Sequence, residues 1–145
     1  MIGYFDASAL VPLLLDEPTS PLCRELWVNA TGQVTSNLSY AEVSAALASA
    51  ERSRRITKDQ HHAACDQRDR MFDDLTEVTA DGTTVRLAGR HAVEHALRGY
   101  DSVHCATASR LASPALIAIT GDRALAEAWR SLGVYAIDTV ALSQR

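Results

Sequence analysis

Short apolar runs that read as strands alternate with longer stretches that read as helices along the whole chain. This alternation restricts the fold more than any single residue does. Residues 2–5 form the first strand, and a helix follows over about 8–15. Ser20-Pro21, a cap followed by proline at the first helical position, starts a short helix through Leu26. Residues 33–35 are a second, weaker strand. Ser39-Tyr40-Ala41-Glu42 opens an alanine-rich helix to about Arg54. Thr57-Lys58-Asp59-Gln60 is a capping box that starts a helix to about Asp74. Residues 75–79 are the third strand, and helices over about 84–97 and 101–111 come next. The fourth strand, 115–119, is the most apolar. A helix over 122–132 stops at Gly133, and 134–137 is the last strand. Strands separated by helices imply a mostly parallel sheet of about five strands covered on both faces, a three-layer α/β/α domain. The 145 residues suit one domain, 1–145, with its own core.

Composition narrows the function classes. Apolar residues make up 47 % and charged residues 22 %, ordinary values for a globular protein. No apolar stretch reaches the roughly 20 residues of a membrane span. The N-terminus carries no basic region and no signal-peptide core, so a cytoplasmic location is expected. Cys23, Cys65 and Cys105 are odd in number and lack a Cys-x-x-Cys pair, and they read as small buried residues in a reducing compartment. The net charge of −4 weighs against a nucleic-acid partner, because phosphate binding leaves a basic footprint. Arg52, Arg54, Arg55 and Lys58 do cluster, which suits a solvated helix end.

Four acidic residues stand where a parallel sheet gathers its strand ends. Asp6 ends the first strand, and Asp122 follows the fourth after Thr120-Gly121. Glu42 lies in an apolar helical stretch, and Asp101 opens another. In such folds ligands bind beyond the carboxyl ends of the strands, and if the first and fourth strands are neighbours, Asp6 and Asp122 face one crevice. Each of the four also has a local explanation. Asp6, Asp101 and Asp122 can cap the helices that follow them. Ser39-x-x-Glu42 fits a capping box in which the glutamate bonds back to the Ser39 amide. Two points favour a shared site. Leu38, Ala45 and Ala46 make the helical face of Glu42 apolar, so its charge needs a partner, and the only lysine, Lys58, is not near it. Four independent caps also have no reason to fall at one end of one sheet. Crowded carboxylates call for a cation, and oxygen ligands suit magnesium. A bound metal can activate a water towards a phosphodiester without a covalent nucleophile, and no Gly-x-Ser-x-Gly or Cys–His pair is evident.

These residues sit in four spaced motifs that together resemble the PIN domain, in particular the VapC-type toxins of toxin–antitoxin pairs. The motifs are Tyr4-Phe5-Asp6-Ala7-Ser8-Ala9-Leu10 running into Leu13-Leu14-Leu15-Asp16-Glu17, Ser39-Tyr40-Ala41-Glu42-Val43, Tyr100-Asp101-Ser102-Val103-His104-Cys105-Ala106-Thr107-Ala108, and Thr120-Gly121-Asp122-Arg123-Ala124-Leu125. The resemblance covers nearly the whole chain in order. It implies a PIN-like fold and an Mg²⁺- or Mn²⁺-dependent endoribonuclease. By motif, Asp6 and Asp101 are implied as the main metal ligands, with Asp122 completing the site and Glu42 binding metal through water or positioning the attacking water. Ser8 and Thr120 are implied as supporting hydroxyls. RNA substrate, a small antitoxin whose tail covers the site, and a homodimer are implied as partners.

Two rival readings use other residues. His91-Ala92-Val93-Glu94-His95 matches the H-x-x-E-H zinc-protease signature, with both histidines on one helical face, but no distal third ligand stands out. A non-catalytic module whose acidic cleft receives a basic segment is the other. His61, His62 and Cys65 are a weaker metal hint, and His104, three residues after Asp101, receives no role. A dehalogenase-type phosphatase needs Asp-x-Asp where this chain has Asp6-Ala7-Ser8, and a response-regulator receiver needs a lysine after its last strand, which is absent.

Overall fold

β1 (Ile2–Phe5) runs through the middle of the sheet because both of its faces are apolar. Successive strand side chains point to opposite faces, so Tyr4 and Phe5, both fully buried, enter different cores. The computed structural model describes residues 1–145. The other strands are β2 (Gly32–Ser36), β3 (Thr76–Val78), β4 (Leu116–Thr120) and β5 (Tyr135–Asp138). All neighbours pair in parallel, in the order β3-β2-β1-β4-β5. The chain moves outward from β1 to β2 and β3, then returns to β4 on the other side of β1, which makes the β1/β4 boundary the switch point. Phe5 sits opposite Ile119 there, so the chain segments leaving β1 and β4 emerge side by side.

Helices cover both faces. α1 (Ala7–Leu14), α3 (Ser39–Arg52) and α4 (Lys58–Asp74) close one core around Phe5, Leu10, Val43, Leu47, Phe72 and Ile119. α6 (Gly99–Arg110) and α7 (Arg123–Ser131) close the other around Tyr4, Cys105, Leu125 and Trp129. Each large side chain taken out of water there stabilises the fold by roughly 1.5–3 kcal/mol. α5 (Gly82–Glu94) packs on α6, and α2 (Ser20–Asn29) packs on α1.

Local signals place most boundaries. The capping box forms as predicted: the Gln60 amide donates to Thr57 Oγ1 at 3.1 Å, and the Thr57 amide donates to Gln60 Oε1 at 2.8 Å. Gly133 adopts φ +80° after α7, a left-handed stop that favours glycine. Other expectations shift. Ser20 is the first residue of α2 rather than its cap; its hydroxyl donates to the Leu15 carbonyl and accepts from the Glu17 amide. β2 extends to Ser36 although Thr35 and Ser36 are polar, because both are buried and Thr35 Oγ1 donates to the Phe5 carbonyl at 2.6 Å. α5 begins at Gly82, since the Asp81 carboxylate caps it through the Thr84 amide. A short helix beyond the expected elements, α8 (Thr139–Ser143), follows β5 and is capped by Asp138.

Candidate active site

Asp6 is the first residue after β1 and the cap of α1. Its Oδ1 accepts the Ala9 amide at 3.1 Å. The same oxygen accepts the Ser8 hydroxyl at 2.7 Å, and Oδ2 accepts the Thr120 hydroxyl at 2.8 Å. Thr120 ends β4, and the β1–β4 pairing brings it here across 114 positions of sequence. Burial pushes the Asp6 carboxyl up from its ordinary range, against the opposing pull of His104 and of the three donors. The Gly121 amide donates to Ser8 Oγ at 2.7 Å, and a Cβ at Gly121 would come within 3.4 Å of that oxygen. The capping and shared-site readings of Asp6 are therefore not alternatives: one oxygen caps α1 while the whole carboxylate stays at the strand end.

Glu42 is not part of a capping box. α3 is flanked by Leu38 with no side-chain cap, and the Ser39 hydroxyl is engaged with Thr35 at 2.6 Å. Glu42 Oε1 instead meets His104 Nε2 at 2.6 Å. His104 is 1 % exposed, and its Nδ1 lies 2.7 Å from the hydroxyl of fully buried Tyr4. Burial and Asp6 hold the Tyr4 phenol well above its ordinary value, so it keeps its proton. Burial alone would lower the His104 value, but the bond to Glu42 and the charges of Asp6, Glu42 and Asp101 raise it overall. A neutral His104 accepts the Tyr4 proton at Nδ1, and an imidazolium donates from Nδ1 to the phenol oxygen. In both forms Nε2–H donates to Glu42. The partner that sequence reasoning missed for Glu42 is this histidine; its three-residue spacing from Asp101 was the available signal.

Asp101 does not cap α6. The helix begins at Gly99 after Arg98, so Asp101 lies in its first turn. Arg98 Nε donates to Asp101 Oδ2 at 3.1 Å, and Arg98 NH2 lies 3.6 Å from Asp122 Oδ2. Asp122 does cap α7, through Oδ1 and the Leu125 amide at 2.9 Å. Arg98 is thus an exposed cation set between two carboxylates that come from distant motifs.

Glu42 bonds to His104, the charges of Asp6 and Asp101 act on that imidazole, and Arg98 ties Asp122 to Asp101. As arranged, no three His, Cys, Asp or Glu side chains form a ready chelate anywhere in the chain. At the acidic site the reason is local: Asp6 is turned into its hydroxyl donors, and Arg98 holds the other two aspartates. The donor set nonetheless fits a hard divalent cation. All four groups are carboxylates, burial destabilises the Asp6 charge, and Arg98 already stands in as a cation for two of them.

The rival metal readings lack this support. His91 is buried and His95 partly so, while Glu94 is exposed, and no third ligand joins the pair. His61 is engaged with Glu51, and no three-ligand group forms with His62 and Cys65.

A cleft of about 580 Å³ opens beside the carboxylates, lined by Leu38, Glu42, Arg98, Tyr100, Asp101 and Val103 among others.

Residues 3–130 match the PIN domain family. Ribonuclease VapC45 and ribonuclease VapC49 of Mycobacterium tuberculosis strains are each 38 % identical to this chain over 122 residues, which is 84 % of this chain and 85 % of theirs. Among solved structures, FitAcB from Neisseria gonorrhoeae superposes with a TM-score of 0.71 at 14 % identity, covering 97 % of this chain and 99 % of that one. PAE2754 from Pyrobaculum aerophilum gives 0.67 at 22 % identity over 100 % and 91 %. VapBC-5 from Mycobacterium tuberculosis, a toxin–antitoxin member, gives 0.63 at 19 % identity over 94 % and 97 %. At these identities the structural matches speak to the fold.

Proposed function

The chain belongs to the PIN domain family, and from that premise we propose that it is a metal-dependent endoribonuclease acting as the toxin of a toxin–antitoxin pair. The observation that carries the reading is the linkage, at the switch point of the sheet, of carboxylates from four separate motifs: Asp6 through Thr120 to Asp122, Asp122 through Arg98 to Asp101, and Glu42 beside Asp101 in one cleft. Relatives at 38 % identity named as VapC ribonucleases support it. Residues 1–145 serve as one catalytic domain.

Asp6 and Asp101 would hold Mg²⁺ or Mn²⁺, with Asp122 and Glu42 completing the site. The ion, when bound, would supply an activated water and neutralise charge at the phosphodiester. The chain's own groups do the positioning. Ser8 and Thr120 orient Asp6 by donating to its two oxygens. His104 fixes one oxygen of Glu42, which leaves the other free to orient the attacking water or take its proton. A small antitoxin would cover the site, and the toxin would act as a homodimer in the cytoplasm on RNA. No helix is long and apolar enough to cross a membrane.

RNA cleavage by purified protein with Mg²⁺, and with EDTA in its place, tests this reading. Cleavage is expected only with the metal; wild-type cleavage that persists in EDTA would overturn the metal mechanism. A short reading frame for a small DNA-binding protein beside this one is expected from the toxin assignment, and its protein should abolish cleavage on mixing.

A further inference from the structure

The cleft beside the acidic site has a wall that the chemistry above does not use. Tyr100, in the first turn of α6, lines it and is 60 % exposed. No aromatic ring or guanidinium packs on it. The other tyrosines of the region are committed. Tyr4 is buried against Trp129 and bonded to His104. Tyr40 carries Arg68 at 4.5 Å from its ring centroid and donates its hydroxyl to Asp69. The ring thus offers an open aromatic face beside apolar Leu38 and Val103 in a cleft that also holds carboxylates. The same cleft shares Glu42 and Asp101 with the acidic site, and Arg98 is its one cation. The Arg98 side chain is 83 % exposed, so it can turn from the carboxylates towards an incoming anion without disturbing the backbone.

We propose that this cleft is a subsite for one splayed-out nucleobase of single-stranded RNA, with Tyr100 as the stacking surface and Arg98 as the cation for the adjoining phosphate. The inference rests on the ribonuclease reading and names its substrate class. The cleft volume lies within the range that holds a small ligand. An open aromatic face is met by a base only when that base is unstacked, so a paired helix does not reach it. Stacking is tolerant of base identity, since every base has a π face. The subsite therefore favours single strands over duplex without imposing a sequence. The shared carboxylates place the bond next to this base at the acidic site.

Fluorescence anisotropy of a short labelled RNA tests the proposal, in Mg²⁺, with Asp6→Asn as the background that prevents cleavage. Adding Tyr100→Ala should weaken single-stranded RNA binding by about 5- to 100-fold, and Tyr100→Phe should stay within about twofold of the background. Adding Arg98→Gln should reduce the slope of log affinity against log salt by about 0.7. Duplex RNA should bind equally with and without Tyr100→Ala. Unchanged single-strand binding in Tyr100→Ala overturns the proposal, as does equal weakening of single-stranded and duplex RNA. Antitoxin affinity lost while RNA affinity holds also overturns it, and assigns the cleft to the protein partner. Wild-type cleavage in Mg²⁺ is scored separately. Cleavage without the Tyr100 effect leaves a nuclease lacking this subsite, and the Tyr100 effect without cleavage removes the nuclease reading while the base subsite stands.

Discussion

His104 Nε2 lies 2.6 Å from Glu42 Oε1, although the two residues are 62 positions apart and belong to helices on opposite faces of the sheet. The imidazole spans the layers at the strand ends, and Tyr4 of the central strand anchors its other nitrogen. With Tyr4 donating to Nδ1, or with the ring protonated, Nε2–H donates to Glu42. The glutamate thereby keeps a fixed orientation that α3 alone, with Leu38 and no cap at its start, does not provide.

Replacing His104 tests that orientation. We expect His104→Ala to lower RNA cleavage by about 10- to 100-fold, the usual effect of removing a group that orients a ligand. It should also destabilise the fold by roughly 1–3 kcal/mol, because the Tyr4 hydroxyl loses its buried partner. His104→Gln, which can still donate to Glu42, should recover part of the activity. Cleavage rates and urea denaturation of the two variants decide; equal activity in both would remove the orienting role.

Asp122 has a capping duty and a charge duty that different substitutions separate. Asp122→Asn keeps an oxygen for the Leu125 amide and should retain stability, while Asp122→Ala should lose about 0.5–2 kcal/mol. Both remove the carboxylate beside Arg98, so both should weaken Mn²⁺ binding measured by calorimetry. Wild-type Mn²⁺ affinity in Asp122→Asn would restrict Asp122 to its cap.

Thr120 donates to buried Asp6 and accepts the Asp122 amide at 2.9 Å. Thr120→Val preserves the shape but strands both partners, and we expect a loss of about 1–3 kcal/mol at neutral pH. Thr120→Ser keeps the hydroxyl and should lose only about 1 kcal/mol through the missing methyl. Thermal melts in EDTA, which keep metal out of the comparison, give the order; a Val variant as stable as the Ser variant would contradict it.

Arg98 and a metal ion would compete for the same oxygens of Asp101 and Asp122. Exposed ion pairs contribute up to about 1 kcal/mol, so Arg98→Gln should tighten Mn²⁺ binding by about two- to fivefold. Calorimetry showing weaker binding would mean that Arg98 arranges the carboxylates rather than occupying their place.

His91 provides a pH signature away from the site. Burial, helped by neighbouring His95, lowers its value from the ordinary 6.5, and its Nδ1 has no partner. Well above pH 6.5 the imidazole is neutral in both folded and unfolded chains. As the pH falls through 6.5 the unfolded chain takes up a proton that the folded chain resists, so stability is lost on acidification. His104, whose value is raised, has the opposite slope: its contribution is full below 6.5 and is lost as the pH rises through its folded value. His91→Leu should flatten the fall in melting temperature between about pH 7 and pH 5. An unchanged slope in that variant would assign the acid sensitivity elsewhere.

The sequence by itself determined the alternation of strands and helices, the parallel α/β/α class, and the four motifs that hold Asp6, Glu42, Asp101 and Asp122. These are local signals. Strand and helix periodicities, the Thr57–Gln60 box and Gly133 act between residues a few positions apart, where one stretch of chain contains the whole interaction. The tertiary structure decided what each carboxylate touches. Glu42 looked like a capping box until strand order put His104 against it. Asp101 looked like a cap until α6 began two residues earlier. Arg98 joined Asp101 to Asp122 only once β4 returned to the far side of β1. The second strand, expected over 33–35, runs one residue further at each end, and its polar Thr35 is satisfied there by the Phe5 carbonyl across the sheet. A charged or polar side chain is stabilised by whichever partner the fold brings within hydrogen-bond reach, and strand order alone decides which distant partner that is.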